Sequence, residues 1–210
     1  ETTRLTVNWG TNSNGGATRY QIDLSPNSDF SAPVFTSTTG ATNPANGTVS
    51  GLASNTTYYA RVKTLTVSDI RADDPATAGG QADGLATLPA AAATVSISAA
   101  ASHSQLTVNW GVLTNSALTR YQVDLSPAGD FSASVVTSTS PATNPASLTL
   151  SGLLTNTTYY ARVKTLAISN VRVDDAAPSS SVPVATWPRP PVSPTITPAV
   201  SSTQLSVNWG

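Results

Sequence analysis

The run of fifteen residues from Gly51 to Leu65 returns at Gly152 to Leu166 with only Ala53 and Ser54 exchanged, for Leu154 and Thr155. A chain that repeats itself this closely folds as copies of one unit, each burying its own core or leaning on its neighbour. Within the run, Tyr58, Ala60 and Val62 alternate with Tyr59, Arg61 and Lys63. That period of two belongs to a half-buried β-strand, and the residues from Ala53 to Thr56 read as the turn leading into it.

The duplication extends well beyond this strand. Trp9 and Trp110, Tyr20 and Tyr121, Phe30 and Phe131, and Tyr58 and Tyr159 are each 101 residues apart. Later the offset falls to 99, where Ala86 to Pro89 matches Ala185 to Pro188 and Trp110 matches Trp209. The two lost residues fall near the loop after Asp174 and Asp175, as expected where a rigid scaffold carries a tolerant connection. The phase predicts three parts: residues 1–89, a copy without its first strand; residues 90–188, a complete copy; and residues 189–210, the first two strands of a third. Two readings of this phase stand side by side. Either the sequence is a window on a longer tandem array, or the tail adds its strands to the open copy of a neighbouring chain.

Alternation recurs in Arg4 to Trp9 and in Arg19 to Leu24, with Tyr20, Ile22 and Leu24 inward and Arg19, Gln21 and Asp23 outward. A weaker segment includes Val34 and Phe35, a short strand covers Thr48 to Leu52, and Ser68 to Asp83 reads as a loop. Clusters of Gly, Asn, Ser and Pro separate these stretches, and none has a helical period. The fold class is therefore all-β, with short strands at the spacing of a sandwich.

Composition narrows the chemistry. Charged residues make up 10% of the chain and the net charge is −1, which gives no basic field for nucleic acid. Cysteine is absent, so there is neither a disulfide frame nor a thiolate metal site. No stretch reaches the roughly 18 apolar residues of a membrane span. A surface of Ser, Thr and Asn with little Lys and Glu predicts an extracellular or cell-surface protein.

In order along each copy come a tryptophan in the second strand (Trp9, Trp110), a tyrosine opening the third (Tyr20, Tyr121), Asp-Leu-Ser-Pro-x-x-Asp-Phe-Ser, and Gly-Leu-x-x-x-Thr-x-Tyr-x-x-Arg-Val. This ensemble resembles the fibronectin type III family, particularly its bacterial cell-surface members. The resemblance implies seven-stranded immunoglobulin-like sandwiches in tandem. It also implies a tyrosine corner at Tyr58 and Tyr159, whose hydroxyls bond back to the preceding turn above Leu52 and Leu153. The turn proline common in the family is Ser54 or Thr155 here, and the large residue after Tyr-Tyr is Ala60 or Ala161. The expected core is Trp9, Tyr20, Leu52, Tyr58 and Val62, with Trp110, Tyr121, Leu153, Tyr159 and Val163 in the second copy.

Candidate sites are few. Asp73 with Asp74, and Asp174 with Asp175, are the weak calcium candidates, since calcium takes six to eight oxygens and two adjacent aspartates supply too few. His103, the one histidine, is expected exposed in a serine-rich turn. Arg71-Ala-Asp73 departs from the integrin-binding Arg-Gly-Asp at its centre. Asn46, Asn55 and Asn156 open glycosylation sequons. Asp23 is expected to form a cross-strand ion pair with Arg61 or Lys63. The outward residues Tyr59, Arg61 and Lys63, with Tyr160, Arg162 and Lys164, are the expected interaction face, because core packing alone does not account for their retention in both copies.

No catalytic constellation and no cofactor site is expected. The sequence predicts a non-enzymatic structural repeat of an extracellular fibre, stalk or surface filament. Its expected partners are further copies of the same repeat, in the same or neighbouring chains. The alternative is an adhesive or carbohydrate-binding spacer that meets glycans through Tyr59 and Tyr160.

Overall fold

The computed structural model describes residues 3–65, 84–99, 102–132, 134–168, 179–201 and 204–208, and within 197–206 the backbone alone. The first copy contains β1 (Arg4–Asn8), β2 (Arg19–Ser25), β3 (Phe35–Thr38), β4 (Asn46–Ser50), β5 (Thr57–Leu65) and β6 (Leu85–Ala86). The second contains β7 (Ala93–Ile97), β8 (Gln105–Gly111), β9 (Arg120–Ser126), β10 (Val136–Thr139), β11 (Ser147–Ser151), β12 (Thr158–Leu166), β13 (Ser179–Ser180) and β14 (Val184–Ala185). A last hairpin pairs β15 (Thr195–Ser201) with β16 (Gln204–Asn208). The described residues form antiparallel sheets and no helix, as the alternating pattern requires.

In the second copy one sheet runs β11-β8-β7 and the other β10-β9-β12-β13, with β14 also pairing with β12. Their inner faces meet in one core that includes Trp110, Tyr121, Val123, Leu125, Leu153, Tyr159 and Val163. Tyr121 and Val163 are fully buried, and the Trp110 ring lies 5.1 Å from that of Tyr121, tilted by 52°. Such aromatic pairs combine a large buried area with a favourable ring geometry.

The first copy repeats this plan with one side open. Among the described residues β1 pairs with β4 alone, whereas β8 lies between β11 and β7. Where β7 packs in the second copy, the first has a groove of about 460 Å³ lined by Leu5, Val7, Trp9, Leu24, Tyr58 and Leu85. Trp9 and Val62 are consequently half-buried and sit at the rim of their core, while Trp110 and Val163 are buried. Trp9 and Val62, expected in the core, pack against it as half-buried residues.

One pair of substitutions shows the copies adjusting volume locally. A Cβ on Gly47 would collide with Cδ1 of Ile22 and stand 3.2 Å from the Trp9 ring. The second copy has Leu148 at the matching position and the smaller Val123 in place of Ile22. Gly47→Leu should therefore cost about 1–2 kcal/mol by overpacking. Adding Ile22→Val should recover part of it, measured as non-additive urea midpoints in a double-mutant cycle.

Candidate functional site

The sheet face expected to meet a partner is occupied by its own side chains. Antiparallel register sets Asp23 directly between Thr36 on β3 and Arg61 on β5, and Asp124 between Thr137 on β10 and Arg162 on β12. Arg61 Nε donates to Asp23 at 2.8 Å, Thr36 Oγ1 at 2.8 Å, and Gln21 Nε2 from the same strand at 2.8 Å. In the second copy Arg162 and Thr137 each donate to Asp124 at 2.7 Å and Gln122 donates at 3.1 Å. The guanidinium groups lie over aromatic rings, Arg61 Cζ 4.5 Å from the Phe30 centroid and Arg162 Cζ 4.4 Å from that of Phe131.

This arrangement corrects the outward assignment of Asp23, which is 1% exposed, as Asp124 is 3% exposed. Lys63, expected outward, is buried too, with Nζ 3.8 Å from the Asp23 carboxylate. A carboxylate removed from water must be compensated by donors and charge. Arginine, threonine, glutamine and phenylalanine are what supply and roof that compensation here, so their retention in both copies follows from stability. Tyr160 is half-buried with its ring over the turn at Gly129, where an added Cβ would lie 3.3 Å from it. Tyr59 is half-buried as well.

The carboxylates make this layer pH-sensitive. Burial pushes the Asp23 carboxyl up, but the donors Gln21, Arg61 and Thr36 and the Arg61 charge outweigh it and leave it below the usual range. For Asp124 burial again opposes, and Arg162, Thr137 and Gln122 prevail. A carboxyl held lower in the folded state than in the unfolded one stabilises the fold at pH above the unfolded value of about 3.9. That contribution is lost as pH falls through the folded value. Unfolding free energy should be nearly flat from about pH 7 to 5 and decline below it, and Asp124→Asn should flatten the decline for the second copy. Denaturant titrations across that range check this.

The second arrangement lies between the copies. The backbone of the turn at Ser54 and Asn55 enters a loop of the second copy: Ser54 N–H donates to Thr114 O at 3.2 Å, and Ser116 N–H donates to Ser54 O at 3.2 Å. The Ser54 and Thr114 hydroxyls are 3.1 Å apart. Asn55, left-handed at φ 51° and fully buried, donates Nδ2 to Thr119 Oγ1 at 3.0 Å and to Leu166 O at 2.9 Å. Its Oδ1 accepts the Ile168 N–H at 3.0 Å. Asn115 closes the connection from the other side, accepting the Ala90 N–H at 2.9 Å and donating to Ala90 O at 3.0 Å. The joint thus satisfies every polar group of the Asn55 side chain, which a buried amide requires.

The remaining expected sites are scattered. The Ala53 amide donates to the Tyr58 hydroxyl and the Leu154 amide to that of Tyr159, each at 3.0 Å. Asn46 opens β4 and is exposed, and Asn156 is exposed in its turn. Asn55 is corrected as a glycan acceptor, because its amide nitrogen is buried and committed to two acceptors across the joint. His103, expected exposed, is half-buried with its ring edge-on to Trp187 at 6.1 Å. Arg71, Asp73, Asp74, Asp174 and Asp175 lie outside the described residues. Among the described residues no group of three or more metal-ligating side chains occurs.

Sequence reasoning missed the joint. The signal available was Asn-Thr-Thr kept at 55 and 156 straight after the two exchanged turn positions.

Comparison with known proteins places this geometry. None of the curated protein sequences matches the chain. A two-domain fibronectin type III segment of chicken tenascin is similar in structure, with a TM-score of 0.56 and 15% identity over 88% of this chain and 93% of that one. The FN1–FN3 domains of chicken CNTN1 align with a TM-score of 0.42 and 19% identity over 88% of this chain and 62% of that one. Residues 90–184 match the family profile described as Fibronectin type III domain. The fold is accordingly the all-β, immunoglobulin-like sandwich of the fibronectin type III kind, and residues 90–184 carry the sequence match to that family.

Proposed function

We propose that the chain is a structural repeat segment of an extracellular fibre, stalk or surface filament, acting as a rigid spacer between whatever its ends join. The observation that supports this reading is the joint at Ser54 and Asn55, where hydrogen bonds from backbone and side chain hold one copy to the next. A flexible tether would leave these groups to water, whereas a spacer needs its relative domain orientation fixed. The recurrent charged layer is absorbed by each copy's own stability. This reading makes the chain non-catalytic, with further copies of the repeat as its partners.

Fibronectin type III domains commonly occur in extracellular and cell-surface proteins, which agrees with the hydroxyl- and amide-rich, charge-poor composition. The resemblance to bacterial members points to a bacterial or archaeal surface. Each copy has a length of roughly 35 Å, from strands of about six residues at 3.3 Å rise plus loops. Small-angle scattering should therefore give an elongated particle with the two copies spanning about 70 Å. Side-by-side packing or a broad spread of interdomain distances would overturn the spacer reading.

A further inference from the structure

Both halves of the joint are present twice in the chain and used once. The first copy's turn (Ser54, Asn55) is buried in the second copy's loop, and Pro89 beside it is buried too. The corresponding end of the second copy is uncovered: Asn156 and Pro188 are exposed, and Leu154 and Trp187 are 67% and 50% exposed. Yet the turn there is already shaped for docking. Asn156 has φ 49° against 51° for Asn55, and its N–H donates to Trp187 O at 3.1 Å as that of Asn55 does to Leu88 O at 3.1 Å.

The receiving loop is also duplicated. In the second copy Thr119 N–H donates to Ser116 O and Asn144 N–H to Thr119 O; in the first, Thr18 N–H donates to Gly15 O and Asn43 N–H to Thr18 O. Thr119 is fully buried under Asn55, whereas Thr18 is half-exposed. The connection after Trp187 keeps the phase of the one after Leu88: Thr94 and Ser193, 99 positions apart, both have positive φ, at 45° and 48°. Arg189, standing where Ala90 does, retains the N–H that Asn115 accepts in the existing joint.

We infer that the turn at Thr155 and Asn156 is a docking site for the next copy of this repeat. Asn156 enters that copy's loop as Asn55 enters the loop at Thr114 to Thr119, and Leu154 and Trp187 are covered in the process. A head-to-tail contact uses two different surfaces of each copy, so the same latch can be repeated at each successive joint. The inference rests on the spacer reading and adds the residue that propagates it.

The test extends the intact 210-residue chain with a second copy of residues 112–188, since Trp209-Gly210 is in phase with Trp110-Gly111. Side-chain amide exchange is followed by NMR at both asparagines. Asn55 should be protected in both proteins. Asn156 should exchange freely in the parent and slow by about tenfold or more once the third copy is complete. Free exchange at Asn156 beside a protected Asn55 overturns this inference and leaves the spacer reading standing; free exchange at both overturns both.

If the added copy does not fold, cysteine trapping decides in the parent chain, which has no native cysteine. Thr155→Cys with Ser13→Cys, the positions that match the Ser54 and Thr114 hydroxyls 3.1 Å apart in the existing joint, leaves Asn156 and Thr18 in place and should give a ladder of head-to-tail oligomers under mild oxidation. A ladder no faster than that of a pair with the second cysteine at exposed Ser50 overturns the inference.

Discussion

Trp110→Ala should lower the stability of the second copy by about 3–5 kcal/mol, the range for removing a large aromatic side chain from a packed core. The indole is 4% exposed, lies against Tyr121, and shares a core with Leu153, Tyr159 and Val163. There is no disulfide to compensate, because the chain has no cysteine. A domain of this size has about 5–15 kcal/mol in all, so about a fifth or more of the total is at stake. Trp9→Ala should cost about half as much, since Trp9 is half-buried beside the open groove. Urea unfolding of the full chain, with backbone amides of β5 and β12 reporting each copy separately, measures both. Equal losses would refute the account of the open edge.

The other large effect is expected at Asp124. Asp124→Ala leaves Arg162, Thr137 and Gln122 without the acceptor that organises them, and Arg162 remains stacked on Phe131. Removing one member of a fully buried ion pair costs about 3–5 kcal/mol. The Arg162 side chain is 35% exposed, so water recovers part of that and about 2–3 kcal/mol is expected. Asp124→Asn keeps the shape and some acceptor capacity and should cost less while losing the acid dependence. If Asp124→Ala were neutral and Arg162→Ala abolished contact with a partner, the face would be an interface after all.

The sequence carried the sandwich through its alternation: Tyr20, Ile22 and Leu24 are inward as their spacing requires. It did not carry the burial of Asp23 and Lys63, because a period of two marks which side of a strand a residue occupies, and not whether that side is roofed. Asp23 is capped by Arg61, which lies over Phe30, a residue in a left-handed conformation at φ 56° that no pattern announces. The tyrosine corner was legible because it is local, spanning the six residues from Ala53 to Tyr58. The joint was not: Asn55 meets Thr119 and Leu166, 64 and 111 positions away, and Asn-Thr-Thr looks the same whether it is docked, as at 55, or exposed, as at 156.

Asn55 is proposed to hold the two copies as one body. Residual dipolar couplings of the 210-residue chain, analysed separately for β2, β4 and β5 and for β8, β9, β11 and β12, test it most directly. A common alignment tensor for the two sets is predicted, separating into two in Asn55→Ala while both cores stay folded. Two unrelated tensors in the unmodified chain, or a single one that survives Asn55→Ala, would contradict it.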